Sequence, residues 1–424
     1  MIVAQNKALI SARVSVRCRF NDCFLFQKNS IWVVFAVSLY CLHMLRYLVP
    51  AYVILPPLLS LAGVVFAFTK PTRLSAFGVL NVSFFAFASI LPLAYSYLWY
   101  PDEEYLIPIM RYLYLAPFFL FAIRSINNQR LLLVALKTIV FFVFLGALTI
   151  FYQMAVGPLA WLAEPSEREG LVRFSSLLGS LTAYGVYGGL VLPLAFFLLP
   201  KGIVRWAVVG VIIVGLLVTL QKAAVVNVFL FIALAFYIGT RATKIRIVFV
   251  VAVGLLALAV AYAFDVSYVV ATVDNVLRLR NQSGVSDVSL LQSIIDRIWS
   301  LPSRLYELHG FWGMLLGVGM VGGSGTLGFP DYPMSHNGFF DLLYIGGVLN
   351  LLSFLALAFY LLYRLRLFMR TAKDSDSVAL SQASFCVFVL FVANFIFAGV
   401  LYFQPYGGLI FYLLVSFYFF HFRP

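Results

Sequence analysis

Residues 131–156 read Leu-Leu-Leu-Val-Ala-Leu-Lys-Thr-Ile-Val-Phe-Phe-Val-Phe-Leu-Gly-Ala-Leu-Thr-Ile-Phe-Tyr-Gln-Met-Ala-Val, with Lys137 as the one charge. A membrane-spanning helix needs roughly 20 mostly apolar residues to cross roughly 30 Å of hydrocarbon, and this stretch satisfies that length. The same pattern recurs along the chain, at 31–45, 50–69, 75–98, 105–123, 175–199, 206–220, 223–239, 247–264, 338–363, 378–400 and 407–422. Of the 424 residues, 63% are hydrophobic and 11% charged, and the mean hydropathy is +1.00. Soluble domains are about half apolar and a quarter charged. The composition therefore excludes an ordinary soluble enzyme and a disordered chain. The expected fold is an all-α polytopic membrane protein of about 12 transmembrane helices.

A net charge of +13 raises nucleic acid as a partner, but charge placement explains it otherwise. With the N-terminus inside and the spans alternating, 19 of the 29 Lys and Arg fall on the inner side, including Lys70, Arg124, Lys201, Arg364 and Arg370. Twelve of the 16 Asp and Glu fall outside, among them Asp102, Glu103 and Glu104. That is the positive-inside bias of a membrane protein. Both termini are thus expected in the cytoplasm, and nucleic acid is not expected as a partner. The first 28 residues are polar and basic without a compact apolar core, so no cleavable signal peptide is expected. Cys18, Cys23, Cys41 and Cys386 are too few and scattered for a disulfide framework. Cys18 and Cys23 have no nearby His to complete a zinc site, and read as free thiols.

The chain divides into a membrane section over 1–264, with about nine spans, an outer loop over 265–337, and a membrane section over 338–424, with about three. Inner connections are short and basic. The long outer loop and a shorter charged one at 157–174 are where chemistry is expected, because long loops in compact proteins are usually functional. No internal repeat is visible, which disfavours transporter folds built from two similar halves.

Within the long loop, Leu290, Leu291, Ile294, Ile295, Ile298 and Leu301 recur at helical spacing over Ser286 to Leu308, with Asp296, Arg297 and Arg304 on other faces. Such a helix lies along the membrane surface or plugs the outer vestibule. Arg297 then faces either headgroups or an anionic ligand. Gly317-Val318-Gly319-Met320-Val321-Gly322 is a literal G-x-G-x-x-G, but without a preceding strand and following helix the dinucleotide reading fails. Gly317 and Gly319 are instead expected to let the backbone turn tightly beneath a ligand. Before the tenth span stands Pro333-Met334-Ser335-His336-Asn337-Gly338, where Ser335 is expected to cap the helix. His336 near the helix's positive end is either a base, an anion contact or an interfacial residue satisfying backbone groups. Lys222 lies in a two-residue outer connection, Arg173 ends the 157–174 loop, and Arg111 lies about two turns inside the fourth span. An intramembrane charge is costly and hence a functional hypothesis, with snorkelling to headgroups as its alternative. Together Lys222, Arg173, Arg297 and His336 make a cationic outer set suited to an anion such as a diphosphate. No recognisable Ser/His/Asp order or metal-spaced His/Glu cluster occurs.

These residues also carry a family likeness. Leu316-Gly317-Val318-Gly319, Ser335-His336-Asn337-Gly338-Phe339-Phe340 and Tyr344-Ile345-Gly346-Gly347-Val348, in that order, resemble the signature of O-antigen ligases and related polysaccharide polymerases. Arg173 with the run to Gly185 resembles the family's Arg-initiated segment, and Asp296-Arg297-Ile298-Trp299 its loop arginine. Gln221-Lys222-Ala223-Ala224 sits where relatives usually carry Ser-Arg-Gly-Ala, so Lys222 replaces an arginine, and Ser176 stands where glycine is common. By motif the likeness covers roughly 170–350, and by topology the whole chain.

The resemblance implies a metal-independent, cofactor-free glycosyltransferase at the periplasmic face of the bacterial inner membrane. Its donor would be an oligosaccharide linked through diphosphate to a polyprenol. Arg297, Lys222, Arg173 and Arg111 would bind the diphosphate, His336 would be the catalytic base, and Asn337, Gly317 and Gly319 would position the loop and acceptor. A glycan acceptor defines a repeat-unit polymerase and a lipid A core acceptor a ligase; the Lys222 departure favours the polymerase. Implied partners are the lipid bilayer and a chain-length regulator. A flippase for lipid-linked sugars is the alternative from another class. It requires polar residues running through the spans, which read as dry apart from Arg111 and Lys137.

Overall fold

The structure is a computed structural model that describes residues 29–66, 75–99, 106–162, 164–168, 171–179, 181–219, 221–240, 244–245, 247–248, 251–252, 254, 305–307, 309–319, 337–396 and 405–422. Among them the fold is all-α apart from one short hairpin. Helix α1 (Asn29–Cys41) leads through two 3₁₀ turns, His43–Tyr47 and Pro50–Val53, into α2 (Leu55–Phe66). Then come α3 (Ala76–Trp99), α4 (Leu106–Ser125), α5 (Gln129–Val156), α6 (Leu181–Leu198), α7 (Ile203–Val218) and α8 (Lys222–Ile238). After the long intervening segment follow α9 (Gly338–Thr371), α10 (Ser375–Asn394) and α11 (Pro405–Val415), the last continued by a π-helical turn over Ser416–His421. Among the described residues three helices, α5, α9 and α10, are long and apolar enough to cross a membrane, and several shorter apolar helices accompany them.

Local chemistry explains the boundaries. Asn128 caps α5 by accepting from the Leu131 N–H at 3.0 Å, and the helix stops at Gly157, whose φ of +111° few other residues adopt. Asp374 caps α10 by accepting from Asp376 and Ser377 N–H groups. The Ser377 hydroxyl and N–H hold its carboxyl below the usual range. Two expected starts shift most. The second span begins at Leu55 because Pro56 and Pro57 fit a helix's first turn. The sixth begins at Leu181, since Ser176 and Gly179 exchange backbone hydrogen bonds in a tight turn just before it. The charged 157–174 loop contains an antiparallel hairpin, Ser166–Arg168 against Leu171–Arg173, that the sequence reading did not include. The amphipathic segment Ser286 to Leu308 lies outside the described residues except 305–307, and the span 247–264 does so except 247–248, 251–252 and 254.

The two membrane sections set apart in sequence interleave in space. Helix α6 is packed on α5, α7, α8 and α10, and Leu190, Val191, Leu192, Leu194 and Ala195 are all fully buried. A helix apolar on every face belongs at a bundle centre. Around it, α9 packs on α3, and α4 on α2 and α11. Large apolar side chains cover the exterior, including Phe77, Leu80, Phe87, Phe229 and Phe359. Such a surface is stable against lipid tails rather than water.

Charge is asymmetric along the bundle. Ser377 at the start of α10 reaches the Gln129 side chain at the start of α5 at 2.7 Å. His421 meets the Ile123 carbonyl near the end of α4 at 2.7 Å, and Arg364 in α9 donates to the Tyr418 and Phe422 carbonyls. These contacts gather Arg124, Arg130, Arg364, Arg366, Arg370 and Lys373 at one end, and the opposite end holds the candidate site.

Candidate functional site

At that opposite end the starts of three helices surround the end of α10. Asn394, the last residue of α10, is amide-paired with Asn227 in the second turn of α8. Asn227 in turn donates to the Gly185 carbonyl in the second turn of α6 at 3.5 Å. Phe395, next in the chain, accepts from the N–H of Gly338, the first residue of α9, at 2.6 Å. Helix N-termini present unsatisfied N–H groups and partial positive charge, so three converging ones favour an anion.

The packing depends on glycine. A Cβ on Gly185 would lie 2.1 Å from Gln221 Oε1, and one on Gly189 would lie 2.5 Å from Asn227 Cβ. Gly185 and Gly189 are four residues apart on one face of α6, the small-xxx-small pattern that lets membrane helices approach closely. A Cβ on Gly338 would lie 2.6 Å from the Phe395 ring.

The expected site residues fall on this frame unevenly. Lys222 is the first residue of α8, directly after its N-cap Gln221. Arg173 ends the hairpin strand opposite Ser166 and is half-buried. The stretch after it is held to α5, where the Gln153 amide donates to the Ser175 carbonyl at 2.7 Å and the Thr149 hydroxyl accepts from the Leu177 N–H at 3.0 Å. It then feeds directly into α6. Asn337 is the N-cap of α9, its side chain accepting from the Phe339 and Phe340 N–H groups at 3.1 and 3.4 Å. Ser335 is therefore not the cap: asparagine is an equally good cap and stands next to the first helical residue. Arg111 belongs to the first half of α4, which packs on α2 and α11 rather than into the three-helix convergence. Arg297 and His336 lie outside the described residues, as do Gly322, Gly323, Gly325 and Gly328. His336 adjoins Asn337 in sequence.

Gly317 and Gly319 meet the backbone of α9. Helix α9 is broken at Gly346 and Gly347, the latter at φ +63° and ψ −163°. The 317–319 stretch lies in that break: Val318 N–H donates to the Tyr344 carbonyl at 2.9 Å, and Gly319 N–H to the Ile345 carbonyl at 2.8 Å. The glycines turn tightly, at φ +72° and +87°, against the backbone of α9. A Cβ on Gly317 would lie 2.5 Å from the amide nitrogens of Gly346 and Gly347. Two of the quoted sequence signatures thus dock on each other. Non-helical backbone in a membrane-type helix is tolerated where protein buries it and re-satisfies its groups.

The spans are not dry. Asn227, Asn350, Asn394 and Asp341 are buried, as are Ser89, Gln153 and Ser353. Asn350 lies one turn past the break, where its side-chain oxygen accepts from the Ser89 hydroxyl at 3.4 Å. Asp341 sits in the first turn of α9, where the helix dipole favours a carboxylate. The sequence reading counted charges at span ends and passed over these. Their signal was a lone amide or acid inside an apolar run.

No protein-family model matches the chain, and comparison with curated proteins likewise finds no match.

Proposed function

We propose that the protein polymerises polyprenyl-diphosphate-linked oligosaccharide repeat units of a bacterial surface polysaccharide by glycosyl transfer. The observation that carries this reading is the convergence of the α6, α8 and α9 starts, which sets the Arg173 segment, Lys222 and Asn337 at one end of the bundle. In the reaction the acceptor hydroxyl oxygen attacks the anomeric carbon of the donor sugar. The bond from that carbon to the diphosphate oxygen breaks, and the electron pair leaves with the diphosphate. His336 takes the hydroxyl proton. Arg297, Lys222 and Arg173 neutralise the departing diphosphate, and helix N-termini add to that stabilisation. Asn337 holds the start of α9. Asn227 and Asn394 pair with each other and with backbone, and Gln153 with backbone, so these buried amides tie helices together, which supports a transferase over a flippase.

About 12 transmembrane helices, cytoplasmic termini and a periplasmic 265–337 loop complete the reading. The gathering of basic residues at the end opposite the site supports it. A cysteine placed at Ser283 in a chain whose native cysteines are replaced should react with an impermeant maleimide added to cells with a permeabilised outer membrane. Reaction only after inner-membrane disruption would put the loop on the wrong side. The glycan profile of a deletion strain tests the activity itself. Single repeat units on lipid A core are expected. Long polymer left on its polyprenol carrier would make the protein a ligase, and an unchanged profile would end the reading.

A further inference from the structure

Asn227 and Asn394 are each 1% exposed, and all four of their side-chain N–H bonds are used. Asn227 Nδ2 donates to Asn394 Oδ1 at 3.1 Å and to the Gly185 carbonyl at 3.5 Å. Asn394 Nδ2 donates to Asn227 Oδ1 at 2.6 Å and to the Leu390 carbonyl at 2.7 Å. A fully satisfied buried network has one arrangement, since any shift leaves a donor unpaired in an apolar interior. This one joins α6, α8 and α10 five residues past Lys222. One residue beyond Asn394, the Phe395 carbonyl holds the Gly338 N–H, and the Phe395 ring packs on Phe339 with centroids 5.5 Å apart. The path from the α8 start to the α9 start is therefore short, buried and hydrogen-bonded at each step.

We infer that the Asn227–Asn394 pair is a positioning device for the proposed transfer: it sets the spacing between the donor-phosphate side at Lys222 and the acceptor side beside Asn337. The inference rests on the glycosyltransferase reading above. A purely adhesive contact between these helices needs only the close packing that Gly185 and Gly189 already permit. Saturated amides add direction, and transfer between two bound substrates is sensitive to direction. A displacement of about 1 Å away from the chemistry can cost roughly 10²-fold in rate.

The test uses the full chain, purified and reconstituted in lipid, with turnover on a polyprenyl-diphosphate-linked oligosaccharide and equilibrium binding of undecaprenyl diphosphate measured side by side. Asn394→Leu is near-isosteric but strands the Asn227 amide. The double variant Asn227→Leu with Asn394→Leu removes both amides and leaves no stranded partner on either side chain. In the double variant turnover should fall roughly 10²-fold while undecaprenyl diphosphate binding stays within about twofold. Added to His336→Ala, the same pair of changes should cause almost no further loss of residual transfer, because residues acting through one group are not additive. Unchanged turnover in the double variant, or an equal fractional loss in both backgrounds, would overturn the inference while leaving the transferase reading intact. A wild-type protein that transfers nothing would instead overturn the reading on which the inference rests.

Discussion

His336→Ala is expected to lower glycosyl transfer by roughly 10²–10⁴-fold, the usual contribution of a positioned general base, while donor binding persists. One observation and one physical effect place the demand on this residue. Asn337, which follows it in sequence, caps α9, and Gly338 is tied to Phe395, so the helix start after His336 is held. The proposed role calls for a neutral imidazole, the form that the positive end of a helix favours over an imidazolium. Diphosphate contacts are assigned to Arg297 and Lys222, so binding of undecaprenyl diphosphate to the reconstituted variant should match the wild type. Lost binding with the fold intact would move His336 to the diphosphate subsite. Unchanged turnover would leave the mechanism without a base.

Much of the helical frame was legible because hydropathy and capping act locally. The stretch 131–156 becomes Gln129–Val156, with Asn128 as its cap, and 378–400 becomes Ser375–Asn394, with Asp374 as its cap. What was hidden depends on partners distant in sequence. A span reads as apolar whether or not it holds one amide, and Asn227 acquires meaning only from Asn394, 167 residues away. Likewise 338–363 reads as one continuous span through Gly346 and Gly347, since paired glycines weaken a helix without fixing where it breaks. The break is set by the 317–319 stretch lying against it. The hairpin at 166–173 was hidden for another reason: its strands are too short to show alternation. At the site, charge type and loop position singled out Lys222 and Arg173 as cations. The three-helix convergence beside them needed the contacts of α10.

Gly317→Ala should release the 317–319 stretch of the long 265–337 segment from α9, whereas Gly310→Ala should not. Both glycines have positive φ, +72° and +65°, so alanine costs each about 1–2 kcal/mol in backbone conformation. Their surroundings differ. A Cβ on Gly310 meets nothing within 4 Å, while one on Gly317 lies 2.5 Å from the backbone of Ile345, Gly346 and Gly347. Overpacking of this kind adds about 1–3 kcal/mol, and backbone cannot swing aside as a flexible side chain can. Withdrawal of the stretch would also break the hydrogen bonds from Val318 and Gly319 to Tyr344 and Ile345. Gly347→Ala should act the same way from the other side, because its Cβ would lie 2.3 Å from the Leu315 carbonyl carbon and oxygen. Limited proteolysis of the reconstituted protein reads the release directly, as faster cleavage near 315–319 in Gly317→Ala and Gly347→Ala than in Gly310→Ala. Transfer should fall in the first two variants, because the segment carrying Arg297 would no longer be tied to the helix whose start adjoins His336. Equal cleavage in all three would mean that the close approach is not what holds the segment, and that backbone conformation alone sets the cost of these glycines.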